Sequence, residues 1–355
     1  MRELSEIIDA LRRDCDIPDD ELKMLIEADD SEAADTLRTA ADEVRRENYG
    51  TKVFLRGLIE ISSFCKNDCL YCGIRRGNHD ADRYRLDPEV ILACADEGYR
   101  LGFRTFVLQG GEDMYFTDEV MCGIIRQLRE DHPDCAITLS LGERTEESYR
   151  LMKEAGADRY LLRHEAASDE LYSKLHPAQM SLENRKNCLY TLKRLGYQVG
   201  AGFMVGAPYQ TTEHIIADLR FLQELRPQMI GIGPFVPHHS TCFAEAPGGT
   251  LQLTLRLLGI LRLMHPAVLL PATTALGTIS PIGRELGLKT GCNVVMPNLS
   301  PVGVRKKYDL YDNKICTGEE AAECRGCLQR RIESCGFAVA QERGDAVGFG
   351  GLDQQ

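Results

Sequence analysis

Three cysteines crowd into eight residues of the stretch FCKNDCLYCGI: Cys65, Cys69 and Cys72. A structural zinc ion usually takes four protein ligands in two separated pairs, which one tight trio does not supply. Three thiolates suit an iron-sulfur cube in which one iron keeps a position free for a small molecule. A zinc site, or reduced thiols without metal, is the alternative reading of the same spacing. A second set, Cys316, Cys324 and Cys327, has Cys-x7-Cys-x2-Cys spacing far along the chain, with Cys335 available as a fourth ligand. It suits a second cluster or a zinc ion, or else consists of surface thiols holding nothing.

The 14 cysteines of this 355-residue chain fit metal ligation and reduced core thiols better than a disulfide framework, since the trio is clustered and no leader precedes it. The first residues, MRELSEIIDALRRDCD, read as an acidic amphipathic helix, and no apolar run approaches a membrane span. A cytoplasmic protein without a membrane partner is expected. Acidic residues outnumber basic ones by 54 to 42, a net charge of −12, and no basic block interleaves with aromatics. Nucleic acid is therefore not expected as a partner.

Residues 1–50 read as a helical extension, LSEIIDALRR, DDELKMLIEADD and SEAADTLRTAADEVRRENYG, the last closed by Gly50. From 51 to 300 eight short apolar runs alternate with amphipathic helices: VFLRGLIEIS, TFVLQGG, AITLSLG, RYLLRHE, QVGAGFMVG, MIGIGPFVP, AVLLPATT and NVVMPN. Eight strand-helix units predict a complete (βα)8 TIM-type barrel, an α/β fold, with a doubly wound open sheet as the alternative. Either fold puts ligands at the C-terminal ends of the strands, where the cysteine trio follows strand one. Residues 301–355 read as a tail rich in cysteine and charge.

Strand periodicity then assigns faces. In RYLLRHE it turns Arg159, Arg163 and Glu165 inward with Leu161, and Tyr160, Leu162 and His164 outward. Two guanidiniums and a carboxylate are costly inside a barrel unless they pair with each other or with a ligand. Thr138 and Ser140 share one phase, Gly200, Gly202 and Gly206 leave volume, and Thr273 and Thr274 add hydroxyls at the end of run seven. The expectation is a hollow, polar, cation-lined chamber for a small anionic or carboxylate-bearing substrate.

The Cys-x3-Cys-x2-Cys spacing, with Tyr71 just before the last cysteine, resembles the radical S-adenosylmethionine (SAM) superfamily. The stretches CLYCGIRRGN, VLQGGED, TLSLGE, GADRYLLRHE, GIGPFVPH, LPATTALGTI and KICTGEEAAECRGC further resemble the HydE family of FeFe-hydrogenase maturases, from about residue 40 to 330. That resemblance implies a 4Fe-4S cluster on the trio and SAM as cofactor. It implies that Gly110, Gly111 and Glu112 receive the SAM ammonium, that Glu165 contacts SAM, and that Arg185 pairs with its carboxylate. Tyr308 and Tyr311 would close over the site from the tail, and the second cysteine set would carry an accessory iron-sulfur cluster. The implied substrate is a cysteine-ligated iron carbonyl cyanide, with the maturases HydG and HydF as partners and ferredoxin or flavodoxin as reductant.

Biotin synthase and methylornithine synthase share the motif and remain alternatives, as does a non-catalytic cluster carrier. The inner strand stretches lack the cysteines that a sacrificial sulfur cluster needs, since Cys135 precedes its strand and Cys188 falls in a helix. GLKTG lacks the spacing of a phosphate-binding loop. Adjacent His238 and His239 are expected to point apart, as loop residues, and Cys242 in the same loop has no assigned role.

Overall fold

A computed structural model describes residues 2–318 and 321–349, and of residues 321–324 only the backbone. The first apolar run forms β1 (Lys52–Leu55) and β2 (Gly57–Ser62), broken at Arg56. There follow β3 (Thr105–Gly110), β4 (Ala136–Ser140), β5 (Arg159–Leu161), β6 (Gln198–Ala201), β7 (Met204–Val205), β8 (Met229–Ile230), β9 (Gly233–Pro234), β10 (Val294–Val295) and β11 (Ala338–Ala340). Six of them form one parallel sheet in the order β2-β3-β4-β5-β6-β8, while β10-β1-β11 and β7-β9 make smaller parallel sets. Single bridges join Met229 to Leu269, Pro271 to Val294 and Leu58 to Asn298. The fold is thus a TIM-like α/β arrangement whose continuous sheet has six strands, where eight full strands were expected. Run seven, AVLLPATT, contributes bridges only; Pro271 interrupts it and has no N–H to extend a ladder.

Three helices lead in: α1 (Leu4–Asp14), α2 (Asp19–Glu27) and α3 (Ser31–Tyr49). The Asp30 side chain accepts the N–H groups of Glu32 and Ala33 to start α3, and Gly50 ends it at φ 59°. Between the strands lie α4 (Pro88–Arg100), α5 (Asp118–Asp131), α6 (Glu146–Ala155), α7 (Asp169–Leu175), α8 (Leu182–Arg194), α9 (Thr212–Leu225), α10 (Leu251–Met264), α11 (Thr274–Ile279) and α12 (Gly283–Lys289). The tail adds α13 (Val302–Arg305) and α14 (Ala321–Ser334). The leading helices brace the flank of the sheet, and the end of α3 reaches its floor through Tyr49. Arg220 of α9 pairs with Asp16 and Asp19, and Gly259 of α10 admits Leu37 of α3 so closely that a Cβ there would lie 2.9 Å from the leucine.

Strand phase separates two environments. Ile59, Ile61, Phe106, Leu108, Ile137, Leu139, Tyr160 and Val199 join the main core beneath the helices. The inner face instead holds a small apolar cluster of Phe54, Leu161, Met229, Leu269 and Val294, closed by Tyr49 and Ala346. Arg159 has the expected inward phase but opens β5, so it sits at the N-terminal edge of the sheet, away from the cysteine loop. There it is 3% exposed and lies 2.7 Å from Asp345, with further bonds to Thr105 Oγ1 and the Arg343 carbonyl. Gln198 donates to the same Asp345 oxygen at 2.6 Å. Arg159 therefore belongs to the floor, a correction to its expected place in the chamber wall. The tail is equally woven in, because β11 pairs in parallel with β1 along Lys52–Phe54.

Burial works against the Asp345 carboxylate, but Arg159, with help from Gln198 and Arg343, outweighs it and holds its pKa below the ordinary range. Stability from this pair is therefore complete above the ordinary carboxylate range and is lost as pH falls through the depressed pKa. Asp345→Asn, which leaves Arg159 buried without its anion, is expected to lower unfolding stability by about 3 kcal/mol in urea titrations at neutral pH. A loss under about 0.5 kcal/mol would show that the tail does not hold the floor.

Candidate active site

The loop after β2 is fixed before any metal is considered. Lys66 N donates to Glu112 O, Leu70 N to Leu175 O, Gly73 N to Leu310 O and Arg76 N to Asn67 O, all between 2.8 and 3.0 Å. Arg83, which the sequence reading missed, threads the loop with hydrogen bonds to the carbonyls of Ser63, Ile74, Arg75 and Asn78. Cys65, Cys69 and Cys72 are half-buried at its turn. Burial pushes all three thiols up, Cys72 to about 12, and neighbouring cysteines add to it at Cys69 and Cys72. Thiolates so placed need a neighbouring positive charge, which is what a metal cluster brings; the donor set fits one.

Gly111, at the end of β3, lies against this loop. A Cβ there would sit 2.1 Å from the Phe64 carbonyl oxygen and 2.8 Å from Cys65 Cβ, so only glycine allows the approach. Gly110 precedes it without such crowding. The two acids that follow are not equivalent. Asp113 is structural, with Arg85 at 2.7 Å and Ser62 Oγ on the same oxygen. Glu112 Oε1 accepts the Glu143 N–H at 3.0 Å, and Oε2 lies 3.2 Å from Lys66 Nζ. Gly142, at φ 74°, gives the Glu112 side chain its room: a Cβ would come within 2.0 Å.

Arg185 on α8 is 7% exposed, with Nε 2.8 Å from Glu143 Oε1. Burial alone would lower its pKa, but Glu143, then Tyr172, Glu112 and Tyr71, keep it raised. Glu165 has φ 65° and lies 3.1 Å from Arg163 Nη2. Tyr71 donates to His176 Nε2 at 3.3 Å, while His176 Nδ1–H is donated to the Tyr172 carbonyl; burial pushes His176 down to about 4 and keeps it neutral. Despite the ion-pair distances, Glu112 Oε2, Glu143 Oε1, Glu165 Oε2, Arg163 Nε and Nη2, and Arg185 Nε have no hydrogen-bond partner of good geometry among the described residues. Buried carboxylate oxygens and a guanidinium beside the thiols fit the ammonium and carboxylate of an amino-acid ligand such as the end of SAM.

Residues 59–222 match the family model of the radical SAM superfamily. Over 323 residues the chain is 45% identical to the [FeFe] hydrogenase maturase subunit HydE of Thermotoga maritima, covering 91% of this chain and 92% of that protein. It is 29% identical to a 3-methylornithine synthase of Methanosarcina barkeri, over 92% and 91% of the two chains. The crystal structure of methylornithine synthase (PylB) superposes with a TM-score of 0.82 at 26% identity, over 94% of this chain and 97% of that one. The chain belongs to the radical SAM superfamily, in the HydE family. It is therefore a member of an enzyme class that uses a 4Fe-4S cluster and SAM.

The remaining predicted residues of this HydE-family chain separate by depth. Thr138 is buried with Oγ1 unpartnered, and Ser140 is half-buried on the same inner phase. Thr273 caps α11, its hydroxyl accepting the Leu276 N–H at 3.4 Å, and Thr274 is the first residue of that helix. Arg56 was missed, although an arginine amid VFLRGLIEIS was the available signal. It is 1% exposed, and among the described residues it donates only to Met229 Sδ at 2.7 Å and leaves Nε and Nη2 unpartnered.

The tail supplies the mouth. Tyr308 is buried, its hydroxyl accepting from Gln109 at 3.4 Å, and Tyr311 is half-buried, burial pushing it up to about 12. Lys314 donates to Glu60 at 2.6 Å and to the Tyr308 carbonyl at 2.8 Å, while Asn298 takes the other Glu60 oxygen. Cys316, at φ 63°, lies 3.3 Å from Arg284 Nη2; Cys327 is exposed and Cys335 half-buried. The Cys324 side chain lies outside the described residues.

His238 and His239 do not diverge as expected: a bend stacks their rings with centroids 4.3 Å apart. Their ligand atoms and one from Asp312 lie within 4.8 Å of one another. His238 Nδ1 accepts the Ser240 N–H and Nε2 faces Asp309, while Asp312 takes the His239 N–H and ring, so the group staples the 238–242 loop to the tail.

Gly111→Ala is expected to displace the cysteine loop while leaving the fold. Iron bound after anaerobic reconstitution should fall several-fold with an unchanged circular dichroism spectrum. Normal iron content would show that the contact with Phe64 is not needed.

Proposed function

We propose that this chain is a radical SAM maturase of the FeFe-hydrogenase H-cluster. The observation that carries this is the 45% identity to HydE over nine-tenths of both chains. In this reading Cys65, Cys69 and Cys72 hold the 4Fe-4S cluster. Gly110, Gly111, Glu112, Glu165 and Arg185 hold the amino-acid end of SAM, and Tyr308 and Tyr311 lie over it from the tail. When bound, cluster and SAM together supply a 5′-deoxyadenosyl radical. The walls exclude water, and Arg56, Arg163, Thr138, Ser140, Thr273 and Thr274 bind and orient a small anionic substrate; Arg159 acts below them as a floor residue.

The substrate class that fits is a cysteine-ligated iron carbonyl cyanide supplied by HydG, with its product passed to HydF and ferredoxin or flavodoxin as reductant. Cys316, Cys324 and Cys327 form the proposed accessory cluster site, beside Arg284 and near Arg331, cations that favour thiolates. The sheet is read as a complete (βα)8 barrel over residues 51–300, flanked by the helical extension 1–50 and the tail 301–355. The bridges at Leu269, Val294 and Asn298 support closure.

Methylornithine synthase chemistry is the second reading, favoured by the superposition on PylB. A diamino acid brings two ammonium groups and needs free acidic acceptors. Here Glu60 is taken by Lys314 and Asp345 by Arg159, while Arg56 offers a guanidinium with two unpartnered nitrogens. The interior charge favours an anion.

Anaerobically reconstituted protein with dithionite and SAM is expected to form 5′-deoxyadenosine; an intact cluster forming none would favour a cluster carrier instead. A strain lacking its HydE should regain FeFe-hydrogenase activity with this gene and lose it with Cys65→Ala, and failure at matched expression would favour the amino-acid reading. Arg56→Met is expected to cut substrate conversion about tenfold, the equivalent of ~1.4 kcal/mol, while uncoupled SAM cleavage persists. Equal loss of both reactions would remove Arg56 from the substrate site.

A further inference from the structure

His164 and Asp218 are fully buried, yet neither belongs to the inner face. His164 has the outward strand phase, and its ring meets Phe221 of α9 edge-on with centroids 4.9 Å apart. Its Nδ1 accepts the Gly202 N–H at 3.3 Å, so the ring proton resides on Nε2 and is donated to Asp218 Oδ1 at 3.2 Å. The same Asp218 oxygen accepts the Ala167 N–H at 2.6 Å. One carboxylate oxygen on α9 thus grips the chain on both sides of Glu165.

Glu165 is the residue that needs holding. Its φ of 65° belongs to the left-handed region, and the Ala166 N–H donates to the His164 carbonyl at 2.8 Å, closing a three-residue turn around it. Turns of this kind at a side-chain-bearing residue are strained, at a cost of order 1–3 kcal/mol, and persist only where the surroundings over-determine them. Backbone pairing supplies one restraint, Glu165 N to Gly202 O at 3.1 Å. Asp218 supplies the two that flank it.

We propose that Asp218, directly and through His164, is a positioning residue that holds Glu165 in this turn and so pre-aims its carboxylate at SAM. The proposal rests on the reading of Glu165 as a SAM contact. Burial raises the Asp218 pKa, and its second oxygen is buried without a partner. An apolar pair would fill this space at lower cost, so retaining a carboxylate here is consistent with its grip on the turn.

The test compares Asp218→Ala, His164→Ala, Glu165→Ala and the Asp218→Ala/Glu165→Ala double variant, all reconstituted anaerobically to equal iron content. SAM affinity is read by equilibrium dialysis, and hydrogen exchange of the 163–168 peptide is read in cluster-free protein. Asp218→Ala and His164→Ala are expected to weaken SAM binding about tenfold, raise KM for SAM more than they lower kcat, and speed exchange in that peptide. The double variant should bind SAM no more weakly than Glu165→Ala. If Glu165→Ala weakens SAM binding while folded Asp218→Ala binds normally, or if the two losses add, the positioning role is overturned and the Glu165 reading stands. Normal binding by Glu165→Ala overturns both. If Asp218→Ala does not fold, Asp218→Asn, which keeps the volume with a weaker acceptor, should show about a threefold loss; none would overturn the proposal.

Discussion

Charge buried against the inner face of the sheet is the constraint on which the rest of the molecule depends. A guanidinium or carboxylate taken out of water costs several kcal/mol after relaxation unless a partner meets it with good geometry. At the floor Arg159 meets Asp345, and this requires the tail to return beneath the sheet, which it does by pairing β11 with β1. At the mouth Glu60 meets Lys314 and Asn298, and this requires the same tail to cross the top. Arg56, just before β2, carries its charge near Arg159 and Asp345, and among the described residues its only hydrogen bond is to the Met229 sulfur. The two satisfied pairs are structural, and the unpartnered nitrogens of Arg56 are where a ligand's charge is called for.

The cysteine loop poses the same problem with the opposite sign. Its thiols resist ionisation because burial opposes it, joined at Cys69 and Cys72 by repulsion from neighbouring thiols, so the loop suits a cationic metal centre. Next to it, Glu112, Glu143, Glu165, Arg163 and Arg185 lie at ion-pair distances while several of their atoms lack aligned hydrogen bonds. Counted with Lys66, which pairs with Glu112, this network sets three cations against three carboxylates and still has donors and acceptors to offer a zwitterion. That is a different design from Asp113, whose bonds to Arg85 and Ser62 leave it nothing to give.

Much of this was legible because it is written in local spacing. The trio, the Gly-Gly-Glu element and the strand-helix alternation are short-range patterns, and the helices from α4 to α6 and α8 to α10 fall on the amphipathic segments that predict them. Periodicity also gave the correct face for Arg159, but a period of two carries no information about depth, and depth decides whether that residue meets ligand or tail. A lining hydroxyl at Thr273 follows only if run seven is a full strand; Pro271 ends it and leaves the threonine to cap α11. Asp345 and Lys314 were invisible as partners, since they reach Arg159 and Glu60 across 186 and 254 residues of chain.

That long return gives the tail a role that its composition alone does not express. Lys314 is tied to Glu60 and to the Tyr308 carbonyl, and Cys316 follows two residues later beside Arg284. The segment that lays Tyr308 over the mouth is therefore the segment that carries Cys316. Cys316 and Tyr308 are separated by one short stretch pinned in its middle by the buried Lys314–Glu60 ion pair. The proposed radical chemistry needs both ends of its chamber closed, and described tail residues reach both, Tyr308 at the mouth and Ala346 at the floor.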